Sequence, residues 1–302
     1  DDSIRSRGGR GTQEDGSSGI NISMLSIDGE QVVWHDYVTL AKVDLHKPLK
    51  PYQSLKMIID WSFPMPTESS LRMGYDDAYE AGAVWELAQW IPVPVVYDDV
   101  YGWNTRPYIG NGEFYTNFGD YKVSITVPRD HIVVASGSLV NPRDVLTWEQ
   151  QERLEQAMES DEVIAIVSKE EVGSPESRPE GEEALTWKFE GDNIRTFAWA
   201  TSASFILEAA SVEIIDLDGS TRRVLCQAAY PVEKLKYWDE AVTYVQHSVK
   251  YYSDMLYPYP WPQMTVVCGA AGGMEYPMLI FCRGSSHEGL FNVTDHEIAH
   301  NW

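Results

Sequence analysis

The sequence predicts a multidomain chain, with an all-β domain of saddle or sandwich type over residues 1–208 and the start of an α/β unit over residues 209–302. Three observations lead there. The chain has 302 residues, 43% of them hydrophobic, and single cores stop growing beyond roughly 250–300 residues. From residue 20 to 206, short β-branched and aromatic runs alternate with turn signals, the mark of an all-β domain. After residue 208 a long helical periodicity stands between two apolar strands.

The β half reads as follows. Candidate strands are Val32-Val33-Trp34, Leu55-Lys56-Met57-Ile58-Ile59, Tyr121 to Val127 and Ile132-Val133-Val134-Ala135. Asp28-Gly29, Pro64-Met65-Pro66, Asn111-Gly112 and Pro128-Arg129-Asp130 punctuate them as turns. Residues 147–158, without Gly or Pro and rich in helix formers, predict one helical insert. The charged Gly/Ser/Pro stretch 170–183 reads as an exposed loop. The opening segment is polar and glycine-rich and reads as a linker, a surface loop or a cut edge.

In the second half, residues 212–225 around Asp218-Gly219 predict a hairpin. A helix over 232–255 follows, since Leu235, Trp238, Ala241, Val242, Val245, Val249 and Tyr252 recur three and four residues apart. Tyr257-Pro258-Tyr259-Pro260-Trp261-Pro262 ends it. Then come a strand at 264–268, a glycine-rich bend, a strand at 278–282 and a helix from about Thr294, with Thr294 or Asp295 as its cap.

Composition excludes several function classes. A formal charge of −23 repels phosphate backbones, so nucleic acid is not an expected partner. No run of about 20 apolar residues exists, so no helical membrane span is expected. Cys226, Cys268 and Cys282 lie far apart without CxxC spacing, which predicts buried free thiols.

Chemistry concentrates near the end. His296-Glu297-Ile298-Ala299-His300-Asn301-Trp302 contains HExxH. On a helix, residues four apart share a face, so both imidazoles can meet one metal ion. Zinc lowers the pKa of a water it binds, and Glu297 on the adjoining face is placed to take the proton. Upstream lies Gly272-Gly273-Met274-Glu275-Tyr276-Pro277-Met278. Two glycines before a carboxylate allow a bound chain to approach the backbone closely.

Together the two motifs resemble the M1 family of metallo-aminopeptidases, whose hallmarks are G-x-M-E-N and H-E-x-x-H-x-W. Gly272, Met274 and Glu275 match the first, and His296, Glu297, His300 and Trp302 the second. Tyr276 stands where Asn is usual, as in a bacterial branch of the family. Residues 96–104, 119–128 and 197–200 also look like the N-terminal β-domain of that branch.

The resemblance implies that residues 209–302 begin a thermolysin-like zinc-peptidase domain, and that the β-domain lacks its first strands. It implies one zinc ion per intact protein, with His296 and His300 as ligands and Glu297 as general base. Glu275 would bind the free α-amine of a peptide substrate, beside Gly272, Gly273 and Met274. A β-domain Gln or Glu helps hold that amine in the family, and Gln89 is the candidate here, with Glu86 second. The third ligand, a Glu 19 residues past the second His in the family, and a later Tyr would fall beyond Trp302. The expectation is therefore a fragment, inactive alone, from a periplasmic or secreted protein. Two other readings stand beside it: an M1-fold binding protein without chemistry, and a thermolysin-type endopeptidase, against which Glu275 argues.

Overall fold

A computed structural model describes residues 19–37, 39–66, 72–106, 115–174, 177–181 and 183–302. The expected turn at Asn111-Gly112 and most of the polar opening segment lie outside the described residues. The strands run β1 Asn21–Ile27, β2 Glu30–Gln31, β3 Trp34–Tyr37, β4 Leu40–Val43, β5 Met57–Ser62, β6 Gly74–Asp76, β7 Val84–Leu87, β8 Tyr97–Asp98, β9 Gly102–Trp103 and β10 Gly119–Pro128. β11 Ile132–Ala135 and β12 Ser138–Leu139 lead into helices α1 Pro142–Val145 and α2 Trp148–Met158. After β13 Ile164–Val167 come β14 Ala184–Ile194, β15 Trp199–Ser202, β16 Phe205–Ile215 and β17 Thr221–Pro231. The last segment holds α3 Leu235–Trp238, α4 Ala241–Met255, β18 Gln263–Cys268, β19 Met274–Tyr276, β20 Leu279–Cys282 and α5 His287–Ala299.

Two units separate, residues 1–66 with 104–113, and residues 67–103 with 114–302. In the first, β1 pairs with β2 and β5, and β3 with β4. Asp28 and Gly29 both take left-handed backbone, φ 50° and 89°, which makes the tight turn between β1 and β2.

In the second, a six-stranded sheet of order β13-β16-β17-β18-β20-β19 divides the interior. It runs without a break through residue 208, the expected domain boundary. Alternation along its strands sends side chains to two cores. Phe205, Leu207, Ala209, Val267, Leu279 and Phe281 join one core, with Ile132, Trp187 and Phe197 from the β structure. Ile206, Ala210, Ile214, Val266, Ile280 and Cys282 join the other, with Val242, Val245 and Val249 of α4 and Leu290 and Ile298 of α5.

The helical insert forms where composition placed it. Thr147 caps it, and a reciprocal bond from Gln150 completes a capping box. The 212–225 hairpin forms as β16 and β17, longer than expected because both strands continue into the sheet. All three cysteines are buried and free.

Two helix boundaries differ from expectation. The helix expected over 232–255 breaks at Asp239 and Glu240 into α3 and α4. Trp238 is wholly buried against Tyr230, its indole N–H donating to the Gly284 carbonyl, while α4 lies over the sheet. A single straight helix does not serve both directions of packing. Helix α5 starts at His287, about two turns before Thr294, with the Ser286 hydroxyl accepting the Gly289 N–H as its cap. Thr294 and Asp295 therefore lie inside the helix, Thr294 buried in it. No helix among the described residues is long and apolar enough to cross a membrane.

Candidate metal centre and substrate loop

β17, β18 and β20 run parallel, so β18 and β20 end at the same edge of the sheet. From that edge, residues 269–273 loop into β19, and Arg283 to Ser286 lead into α5. Such carboxyl ends are where α/β sheets hold ligands.

On α5 and its last turn, the His296 and His300 rings stand 4.9 Å apart between centroids and nearly perpendicular. Their Nε2 atoms approach to 3.3 Å. Zinc–imidazole bonds of about 2.0–2.1 Å at a tetrahedral angle set ligand nitrogens roughly 3.3 Å apart. The pair therefore fits a shared zinc. Among the described residues no third His, Cys, Asp or Glu joins the pair in a group that could hold a metal.

Both imidazoles are exposed and Glu297, between them in sequence, is buried. Its carboxylate faces the glycine loop: a Cβ on Gly273 would lie 3.0 Å from Glu297 Oε1. Gly273 also needs left-handed backbone, φ 69°. Both facts favour glycine there.

After Gly273, Met274 and Tyr276 of β19 point into the core, and Glu275 takes the other face and is half-buried. The strand turns back through Pro277 and Met278, the latter at φ 64°, into β20. The Met278 N–H donates to Asn301 Oδ1 at 3.3 Å, tying this turn to the residue after His300.

Gln89 comes to the same place from the β structure. Its own φ is 51°, and its side-chain amide bonds the Tyr276 hydroxyl at 3.2 Å. The Tyr276 hydroxyl thus ties Gln89 to β19, the strand that carries Glu275. Glu86, the second candidate, is instead wholly buried, and its Oε2 accepts the Ala271 N–H. Burial pushes its carboxyl up to about 8, against the opposing pull of the Ala271 N–H and the Arg283 charge.

That displacement predicts a pH effect. The carboxyl holds its proton more tightly folded than unfolded, where it titrates near 4.5. Its contribution to stability is complete below the unfolded value and is lost as pH rises towards about 8. Glu86→Gln is expected to remove a slope of up to about 1.4 kcal/mol per pH unit across that window. Urea denaturation of both proteins along a pH series reads it; a difference constant with pH would mean the acid is not held protonated.

Two residues make contacts that the sequence did not assign to them. Asp295, just before His296, accepts the Ser248 hydroxyl at 2.8 Å and the Tyr252 hydroxyl at 2.9 Å, bracing α5 on α4. Trp302 is packed between Tyr252 and Tyr259, with centroids 5.5 and 5.3 Å away. The i, i+4 spacing of Ser248 and Tyr252 is a local signal that could have pointed to a shared partner.

No model of a known protein family matches the chain, and no curated protein matches it in sequence. Solved structures do match in fold. An M1 zinc metallopeptidase from Deinococcus radiodurans aligns with 94% of this chain and 54% of its own, at TM-score 0.55 and 18% identity. A mutant of a two-domain M1 zinc metallopeptidase bound to L-tryptophan aligns with 94% of this chain and 55% of its own, at TM-score 0.55 and 17% identity. A Deinococcus radiodurans M1 mutant bound to a Tyr-Ser-Ala substrate aligns over 94% and 54%, at TM-score 0.53 and 17% identity. The chain thus spans about half the length of the structures it matches. Within that span its fold is that of the M1 zinc metallopeptidases.

Proposed function

We propose that the protein containing this chain is a zinc-dependent aminopeptidase. The observation that carries the proposal is the convergence of His296 and His300 Nε2 to 3.3 Å beside a glycine loop that packs on Glu297. His296 and His300 would hold the zinc ion. When bound, zinc polarises a peptide carbonyl and makes water acidic enough to lose a proton near neutral pH.

This chain's residues do the rest. Glu297 would take the proton as water attacks, from a buried carboxylate that faces Gly273 of the glycine loop. β19 is the edge strand of the sheet, paired only with β20 among the described strands. An extended peptide can lie along it, close to Gly272, Gly273 and Met274. Glu275, on the face away from the core, accepts the substrate's α-ammonium, and Gln89 takes part from the side. An anchor for the amine selects substrates with a free N-terminus.

The same proposal reads residues 1–208 as the β-domain, of saddle type, and 209–302 as the first part of a thermolysin-like catalytic domain. A periplasmic or secreted location belongs to it as well. The non-catalytic alternative is a binding protein of this fold.

Zinc distinguishes the two. Elemental analysis of the protein that contains this chain is expected to give one zinc per molecule; another metal at stoichiometry, or none, rules out the proposal. Residues 1–302 alone are expected to bind zinc weakly and to hydrolyse no aminoacyl substrate, because zinc affinity depends on a complete, preformed ligand set. Tight one-to-one binding by calorimetry, with measurable hydrolysis, would place a third ligand within the chain.

A further inference from the structure

The loop 269–273 is gripped from two sides by groups that the proposed reaction does not use. From β7, Glu86 brings a wholly buried carboxyl group under it and accepts the Ala271 N–H. Gly269 packs so closely on this carboxyl that any Cβ there would overlap it. From the end of β20, Arg283 donates its Nε–H to the Gly269 carbonyl at 3.2 Å. Its aliphatic stem lies along Gly272, where a Cβ would come within 2.9 Å of Arg283 Cδ.

Burying a carboxyl group is costly unless its bonds repay it, and an aliphatic side chain of similar size would fill the same space without that cost. What Leu cannot supply is an acceptor for the loop's backbone. The loop ends on Gly273, which packs on Glu297, and continues directly into Met274 and Glu275. A shift of the loop therefore moves Glu275 relative to Glu297.

We propose that Glu86 and Arg283 are positioning residues that clamp loop 269–273 through its backbone and so set the separation of Glu275 from Glu297. The catalytic consequence rests on the aminopeptidase reading; the clamp itself does not.

Amide hydrogen exchange at neutral pH tests it in the wild type and in Glu86→Gln, Glu86→Leu and Arg283→Met, with the β16 and β17 amides as reference for global stability. Gln keeps an acceptor oxygen at the same reach, so Ala271 is expected to exchange within about threefold of wild type. Leu and Met remove one arm of the clamp each, and exchange at 269–273 is expected to rise by about tenfold or more while the reference amides hold. Protection in Glu86→Leu equal to wild type would reduce Glu86 to a filler of space and overturn the proposal. Equal loss in Gln and Leu, or no change in Arg283→Met, overturns it too. Should Glu86→Leu not fold, Arg283→Met, at an exposed residue, decides. In an active protein the Arg283→Met loss is expected in KM more than in kcat. A wild type that cleaves no peptide defeats the aminopeptidase reading and leaves the exchange result to judge the clamp.

Discussion

Glu297→Gln is expected to lower kcat by about 10²–10⁴-fold in the zinc-loaded protein while its zinc content and fold stay as in the wild type. The substitution keeps the shape of a buried side chain that packs on Gly273, so the loop stays where it is. It leaves both imidazoles in place, so the metal is held as before. It removes only the capacity to accept a proton from the attacking water. Steady-state kinetics with an aminoacyl chromogenic substrate, together with elemental analysis of the same sample, measures both quantities. Near wild-type kcat would assign the base elsewhere. Loss of zinc along with activity would instead make Glu297 part of the metal's support.

The second large effect is on substrate choice. Acetylating the N-terminus of a good peptide substrate is expected to cut kcat/KM by about 10²-fold in the wild type, the equivalent of roughly 3 kcal/mol of charge-assisted bonding. In Glu275→Ala the penalty is expected to shrink to a few-fold, because the group that reads the charge is gone. The comparison is internal to each protein, so a general loss of activity in the variant does not confuse it. Gln89 offers a graded check: it bonds Tyr276 at 3.2 Å, and Tyr276→Phe frees it while leaving Glu275 unchanged. Equal cleavage of acetylated and free peptides by the wild type would refute the exopeptidase reading and favour an endopeptidase.

The sequence by itself determined that His296 and His300 can meet, because that geometry is local. HExxH places two imidazoles on one helix face by the 3.6-residue repeat alone, and their Nε2 atoms do meet at 3.3 Å. The helical insert over 147–158 and the hairpin at Asp218-Gly219 were legible for the same reason. Their bonds lie within a few residues of each other.

Only the tertiary structure decided how the parts stand together. Residues 185 positions apart, Glu86 and Ala271, make a buried bond that no local pattern encodes. Gln89 and Glu86, near one strand end, were the first and second candidates in sequence. The fold separates them, burying Glu86 beneath the loop and turning Gln89, at φ 51°, towards Tyr276. The break before α4 escaped the sequence because packing set it, and the start of α5 because Gly289 in its first turn masked the local Ser286 cap. Ser286 capping tolerates Gly289 in the first turn, and Trp238 is drawn into a core built by strands far from it in the chain. Short-range periodicity reports which face of an element is buried; what that face meets depends on contacts across the chain, which the sequence carries only as the sum of all its pairings.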